Sequence, residues 1–352
     1  MFKAFKSMIK WGGIIAICYS VLWYAWGHYI KIHLKEIISE SLQKYSTVNY
    51  DSVEFKGYPF SFYYTIKNLT LVSKNKSNSE TALSFRTVEI SSDVAVKNFK
   101  IDIDHPLHIS INNKDVYFVK WDEGSRMNIK LKKSLLEQLL TYQKFESKIS
   151  SFFYFDSGYN VLDQNLNKIV FISHNNRIKI RTDEASNYIE YKILINLNGE
   201  GGADSPPYAM GEQRLNVDMR YKVYRQGDKE INFVDDADIL FHKFQLKSEK
   251  CKVNINGNLK RSAFTENKIG QINVDIISFS SFSRIIDELL YKNHAELLKN
   301  LFLNTSENKY DHQTDKISFS IVGTKNGIKY GNMNSQAFFV LIMQTYQQLM
   351  RG

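Results

Sequence analysis

From Val48 onward, apolar residues return at every second position, and this alternation limits the fold more than any other feature of the chain. Phe60, Phe62, Tyr64 and Ile66 fall on one side of an extended segment, and Val88 with Ile90 and Val94 with Val96 continue the habit. Successive strand side chains point to opposite faces, so each run has one apolar and one polar face. Phe99-Ile101-Ile103, Leu107-Ile109-Ile111 and Met127-Ile129-Leu131 read the same way. Strands of a doubly wound parallel sheet are covered on both faces and would be apolar throughout. The pattern therefore predicts antiparallel sheets packed on one side. Further strands are expected at 168–181, 188–197, 214–224, 230–241, 250–260 and 268–277.

Helical spacing interrupts the strands twice, at Leu135, Leu136, Leu139, Leu140 and Tyr142, and again from Phe282 through Ile285, Ile286 and Leu289 to Leu301. The segment Asn198 to Gly211 holds four glycines and Pro206-Pro207. It reads as a loop or hinge between a first β-rich half, 47–197, and a second, 212–352. Near the end, Lys325-Asn326-Gly327 predicts a hairpin between Ile317–Val322 and Ile328–Tyr330. A closing helix is expected from Ser335; its segment Phe338 to Met343 is apolar on every side and too short to span a bilayer, so it suits a core or, as the second choice, a plug for an apolar groove. The fold class is mainly β with flanking helices (α+β): curved antiparallel sheets in two halves, each with a helix.

The amino end follows other rules. Trp11 to Gly27 is seventeen residues without a charged side chain, preceded by Lys3, Lys6 and Lys10. As a helix it measures about 25 Å, against a hydrocarbon core of about 30 Å. Met8 and Ile9 on one side and Tyr29 and Ile30 on the other make up the difference. The run predicts a single transmembrane helix anchored by Trp11, Ile14, Ile17, Leu22, Trp23 and Trp26. A cleaved signal peptide is the competing reading, with Ala25-Trp26-Gly27 as the cut. The length of the run and its aromatic end, Tyr19, Trp23, Tyr24, Trp26 and Tyr29, favour an uncleaved anchor. Lysines flank both sides, so orientation rests on length asymmetry: residues 1–10 stay in the cytoplasm and the long domain is exported. Ile30, Leu34, Ile37, Ile38, Leu42 and Tyr45 extend the span into an amphipathic stalk helix over 28–46.

Composition removes several function classes. The formal net charge is +9, but the basic residues are scattered, with no Arg/Lys block interleaved with stacking aromatics, so no nucleic-acid partner is expected. Cys251 is the sole cysteine beyond Cys18, so the exported part holds no disulfide. His105-Pro106-Leu107-His108 lacks further metal ligands nearby, and Asp235-Asp236-Ala237-Asp238 lacks the glycine and distal glutamate of a calcium loop. Ser73-Lys74-Asn75-Lys76 has the spacing of a serine-lysine pair but lies among polar loop residues. Gly199-Glu200-Gly201-Gly202 has no phosphate-binding lysine after it. No catalytic, metal or cofactor residue is assigned, and no enzyme is expected.

One local constellation stands apart, Tyr50-Asp51 through Gly57-Tyr58-Pro59-Phe60 to Phe62. It reads as a strand broken at Gly57 and restarted after Pro59, a structural bulge formed by Gly57, Tyr58, Pro59 and Phe60. An amino-terminal span, a stalk and this Tyr-Asp, Gly-Tyr-Pro-Phe stretch together resemble the bacterial envelope family catalogued as domain-of-unknown-function family 2125. Lys325-Asn326-Gly327-Ile328 is similar to that family's closing glycine hairpin. The first 70 residues carry most of the likeness. The resemblance implies a single-pass inner-membrane protein, amino end in the cytoplasm and bulk in the periplasm. More distantly the layout looks like AsmA-type proteins, whose curved sheets present an apolar groove for lipid. The expectation is a non-enzymatic envelope protein without cofactors that shelters lipid or another hydrophobic ligand on an apolar sheet face. A scaffold for other envelope proteins is the alternative. Membrane lipid, a hydrophobic ligand and envelope proteins are the expected partners.

Overall fold

The computed structural model describes residues 17–32, 47–290 and 310–334, apart from 59–60, 75–79, 94, 104–106, 112–114, 123–124, 142–148, 164–167, 186–187, 203–204, 206–209, 225–236, 262–267, 312, 325–326 and 332. The chain clusters into two compact units, one of residues 1–149 and 159–167, the other of 150–158 and 168–352. Both are built from antiparallel strands, as one-sided alternation requires.

In the first unit, helix α1 (residues 17–32) precedes β1 (Thr47–Asn49), β2 (Ser52–Lys56), β3 (Phe62–Lys74) and β4 (Glu80–Ser92). β3 is the spine: β1 and β2 pair with its two ends and β4 lies along its other edge. β4 then splits its free edge between β5 (Asn98–Ile103) and β6 (Leu107–Ile111). β7 (Asp115–Trp121) pairs with β6, and β8 (Ser125–Leu131) pairs with β5. Phe62, Tyr64 and Ile66, the alternating face of β3, are all but inaccessible and meet Val53, Val88 and Ile90. The short helix α2 (Leu135–Leu140) starts at Ser134, whose Oγ accepts from the Glu137 N–H at 3.0 Å as an N-cap. β9 (Ile149–Asp156) follows and joins the second unit, whereas β10 (Gly158–Leu162) pairs back onto β7.

The expected transmembrane helix is not found: among the described residues, no helix is long and apolar enough to cross a membrane. Trp11 and Ile14 lie outside the described residues, as do 33–46 of the expected stalk and the closing helix from Ser335. Trp23, Gly27 and Ile30, three to four residues apart, make one side of α1, and that side is buried in the unit's core. Trp23 stacks on Phe55 and Phe62, ring centroids 4.9 and 5.4 Å away, and meets Tyr58 edge-on at 5.2 Å. At Gly27 a Cβ would stand 1.9 Å from Phe55 Cζ, so only glycine admits the helix this close. The Tyr64 hydroxyl donates to the Gly27 carbonyl at 3.4 Å. The Trp23, Gly27 and Ile30 side of α1 is thus spent on protein.

The second unit is a meander. β11 (Ile169–His174) and β12 (Arg177–Glu184) both pair with β13 (Tyr188–Gly201), and β9 flanks β12. β14 (Gly211–Tyr224), β15 (Ala237–Ser248), β16 (Lys252–Arg261), β17 (Lys268–Ile277) and β18 (Lys316–Thr324) then follow, each paired with the last. β19 (Gly327–Tyr330) and β20 (Met333–Asn334) finish it. Of residues 198–211, read from sequence as a hinge, Asn198 to Gly201 and Gly211 belong to the β13–β14 pair, with Gly201 opposite Gly211. Helix α3 (Phe279–Leu290) leaves the end of β17, and the Asp315 carboxylate accepts from the Ser280 N–H at 3.0 and 3.2 Å and from its hydroxyl at 3.0 Å. A residue just before β18 thereby caps a helix that starts just after β17.

Two features fix the meander locally. Asn176, buried before β12, donates from Nδ2 to the equally buried Asp156 carboxyl at 3.0 and 3.2 Å and to Ser173 Oγ at 2.5 Å. Its Oδ1 accepts from the Asn198 N–H at 3.1 Å, which ties β9, β11 and β13 together. In β15 an extra residue at His242 keeps both Phe241 and Phe244 on one face, a β-bulge answered on β16 by Gly257 at φ 119°. A Cβ on Gly257 would lie 2.1 Å from the Gln271 carbonyl oxygen.

Asn176→Ala strands a buried carboxyl group and is expected to cost about 1–3 kcal/mol, read as a lower urea midpoint. Gly257→Ala places an L side chain at a strained φ against a backbone oxygen, with an expected loss of about 1–3 kcal/mol in the same measurement.

Candidate functional site

Directly opposed residues of an antiparallel pair share a face, so the register assigns every side chain of the meander to one side or the other. Ile178 and Ile180 of β12 face Ile195 and Ile193 of β13. These lie opposite Val217 and Met219 of β14, which face Phe244 and Phe241 of β15. The row continues through Ile255 and Gly257 to Val274 and Ile272 of β17, then Phe319 and Ile321 of β18. None of these side chains is charged. Seven strands thus carry one uninterrupted apolar face, about 29 Å across at about 4.8 Å per strand spacing.

Burial along this face is graded. At the β16–β18 end Val253, Leu259, Ile272, Val274, Ile276 and Ile317 are buried, with Phe279 of α3 packed among them. Toward β12–β14, Val217 and Val223 of β14 are buried, but the side chains of Ile178, Ile180, Tyr191, Ile193, Ile195 and Met219 are half-buried. A closed core would hold these residues at the depth of Ile276. The β12–β14 part of the face is therefore the candidate site.

The reverse face is polar and laced with ion pairs. Lys192 Nζ reaches Asp183 at 2.6 Å and Glu190 at 3.2 Å, and these two carboxylates hold the ammonium above its usual range. Glu212 accepts from Lys247 at 3.1 Å and from Arg214 at 2.9 Å, and its carboxyl is held low by Lys247 first and Arg214 second. Burial pushes Asp275 upward, but the Ser318 hydroxyl at 2.5 Å and Lys316 at 3.1 Å outweigh it and leave the carboxyl below its usual range. Lys222 lies over the Tyr188 ring, 3.8 Å from its centroid, beside a Tyr224 hydroxyl that donates to Asp238. These groups keep one face wet and commit the other to apolar contact.

Residues singled out from sequence take other roles. Ile17 and Leu22 point outward from α1, Trp23 is buried against the β2–β3 hairpin, and Trp26 stacks on Tyr29 at 5.3 Å. β2 does stop before Gly57, φ 108°, and the chain resumes at Phe62, but it reverses there, with Lys56 opposite Tyr63 in a hairpin. Tyr58 is exposed and shares a 2.8 Å hydrogen bond with Ser20; Pro59 and Phe60 lie outside the described residues. His108 is a strand residue whose ring meets Phe118 edge-on. Asp238 belongs to β15, and Gly199 admits Phe171, whose Cζ would be 2.3 Å from a Cβ there. Among the described residues no three His, Cys, Asp or Glu side chains are placed to hold a metal ion. The bulge at His242 was missed, although two polar residues between Phe241 and Phe244 break the alternation visibly. The Asp315 cap, 35 residues from Ser280, had no local signal.

No family model, curated protein or solved structure matches this chain.

Glu212 and Asp275 are both lowered in the folded chain, so the unfolded state takes up their protons first as the pH falls. Their contribution is complete above the ordinary carboxylate range and is lost as the pH drops through the lowered folded values. Lys247→Met and Lys316→Met should each reduce the loss of urea stability between neutral pH and about pH 3.

Proposed function

We propose that this chain is a non-enzymatic binding protein of the bacterial envelope, on the periplasmic side of the inner membrane, that shelters lipid or another hydrophobic ligand on the β12–β14 part of its apolar sheet face. The observation that carries the reading is the gradient on that face: six large apolar side chains remain half-buried where the strand pairing is regular and complete. Taking an exposed side chain of this size to full burial is worth about 1.5–3 kcal/mol, and completing the cover of several half-buried ones gains a share of that at each. The β12–β14 part of the face carries no charged side chain, which suits hydrocarbon better than a polar molecule. Its polar reverse keeps the loaded protein in water.

The full chain, purified from its envelope in mild conditions, is expected to carry lipid that mass spectrometry detects near one per protein. Ile193→Glu combined with Met219→Glu puts two carboxylates at the centre of the face, on opposed residues, and is expected to remove most of that lipid. A lipid-free preparation of the unaltered protein would overturn the proposal.

A further inference from the structure

Helix α1 has a second side. At about 100° per residue, Ile17, Cys18, Val21, Leu22, Ala25 and Ile32, with His28 among them, fall on the half of the helix opposite Trp23, Gly27 and Ile30. Ile17, Val21 and Leu22 are 66%, 63% and 70% exposed, and Tyr24 at the border is 65% exposed. Isolated exposed apolar residues are ordinary on a protein surface, but a contiguous row on one helix marks a contact surface. Tyr24 and Tyr58 are exposed and flank it, as aromatics do where an apolar layer meets water. The sequence of residues 1–46 is basic, with Lys3, Lys6, Lys10, Lys31, Lys35 and Lys44 against Glu36 and Glu40; of these only Lys31 lies among the described residues.

We propose that α1 lies in the plane of an anionic bilayer surface, its outward row Ile17, Val21, Leu22 and Tyr24 in the lipid and its inward row clamped to the β2–β3 hairpin. Lipid on one side only is what the packing permits, because Trp23, Gly27 and Ile30 are committed to Phe55 and Phe62. The apolar row supplies burial and the excess positive charge of the amino-terminal sequence supplies attraction to anionic headgroups, the two contributions that hold an interfacial helix. The same charge opposes a second copy of the chain on this surface, since two copies would bring like charges together. This inference is independent of the sheet-face reading, which concerns the other unit.

The test is co-sedimentation of the full chain with vesicles of phosphatidylcholine containing one quarter phosphatidylglycerol. Unaltered protein is expected to bind, and to bind less to phosphatidylcholine alone or in high salt. Val21→Glu with Leu22→Glu is expected to weaken binding by at least about tenfold with its thermal midpoint unchanged, because both side chains already face outward. Ile269→Glu, the same chemical change at another exposed apolar residue, controls for charge and should leave binding intact. Full binding by the Val21→Glu, Leu22→Glu variant would overturn the proposal. So would lipid-free self-association of the unaltered chain that this variant abolishes, which would assign the row to a second copy. Ile193→Glu with Met219→Glu is expected to leave vesicle binding unchanged, so the two readings fail separately.

Discussion

The register of the β13–β14 pair is the constraint on which the second unit depends. Fourteen consecutive residue pairs, from Tyr188 opposite Tyr224 to Gly201 opposite Gly211, run without a break. Side chains alternate with a period of two, so a slip of β13 by one residue against β14 would turn Ile193 and Ile195 to the wet side and bring Lys192 beside Val217 and Met219 on the apolar one. Every strand from β12 to β18 inherits its facing from this pair through its neighbour. The ion pairs of Lys192 with Asp183 and Glu190 are exposed and contribute little energy singly, but they penalise the slipped arrangement, in which they would have to be buried.

Curvature is handled separately from facing. An extra residue in β15 would normally reverse the facing of everything beyond it. The chain instead places two polar residues, His242 and Lys243, between Phe241 and Phe244, and sets Gly257 opposite the irregularity. Apolar sidedness therefore passes through a bend unchanged.

Much of this was legible in the sequence because alternation is a local signal. The faces of β3, β4, β5 and β8 are those that Phe62-Tyr64-Ile66, Val88-Ile90, Phe99-Ile101-Ile103 and Met127-Ile129-Leu131 spell out. What failed was the environment of the aromatic run Trp23 to Tyr29. A helix with Trp23, Gly27 and Ile30 on one side is equally suited to lipid and to a sheet, and hydropathy does not distinguish them; the partner is Phe55 and Phe62, more than twenty-five residues downstream. The Asn176–Asp156 tie was illegible for the same reason, since an Asn, an Asp and a Ser scattered over twenty-one positions carry no period. The candidate face itself lies between these extremes. Its composition could be read, whereas its graded burial depends on α3 and the far strands, which only the fold brings to one end.

From β13 to β18 the chain adds strands strictly in order, each hydrogen-bonded to the one made just before it. Such an arrangement has no fixed length. Inserting or deleting one hairpin moves the later strands by two spacings, about 9.6 Å, and returns them with the same side up. The span of the apolar face is in this sense an adjustable dimension, open to change by duplication of some thirty residues without redesign of either unit, and proteins of this build can differ in reach while keeping one chemistry.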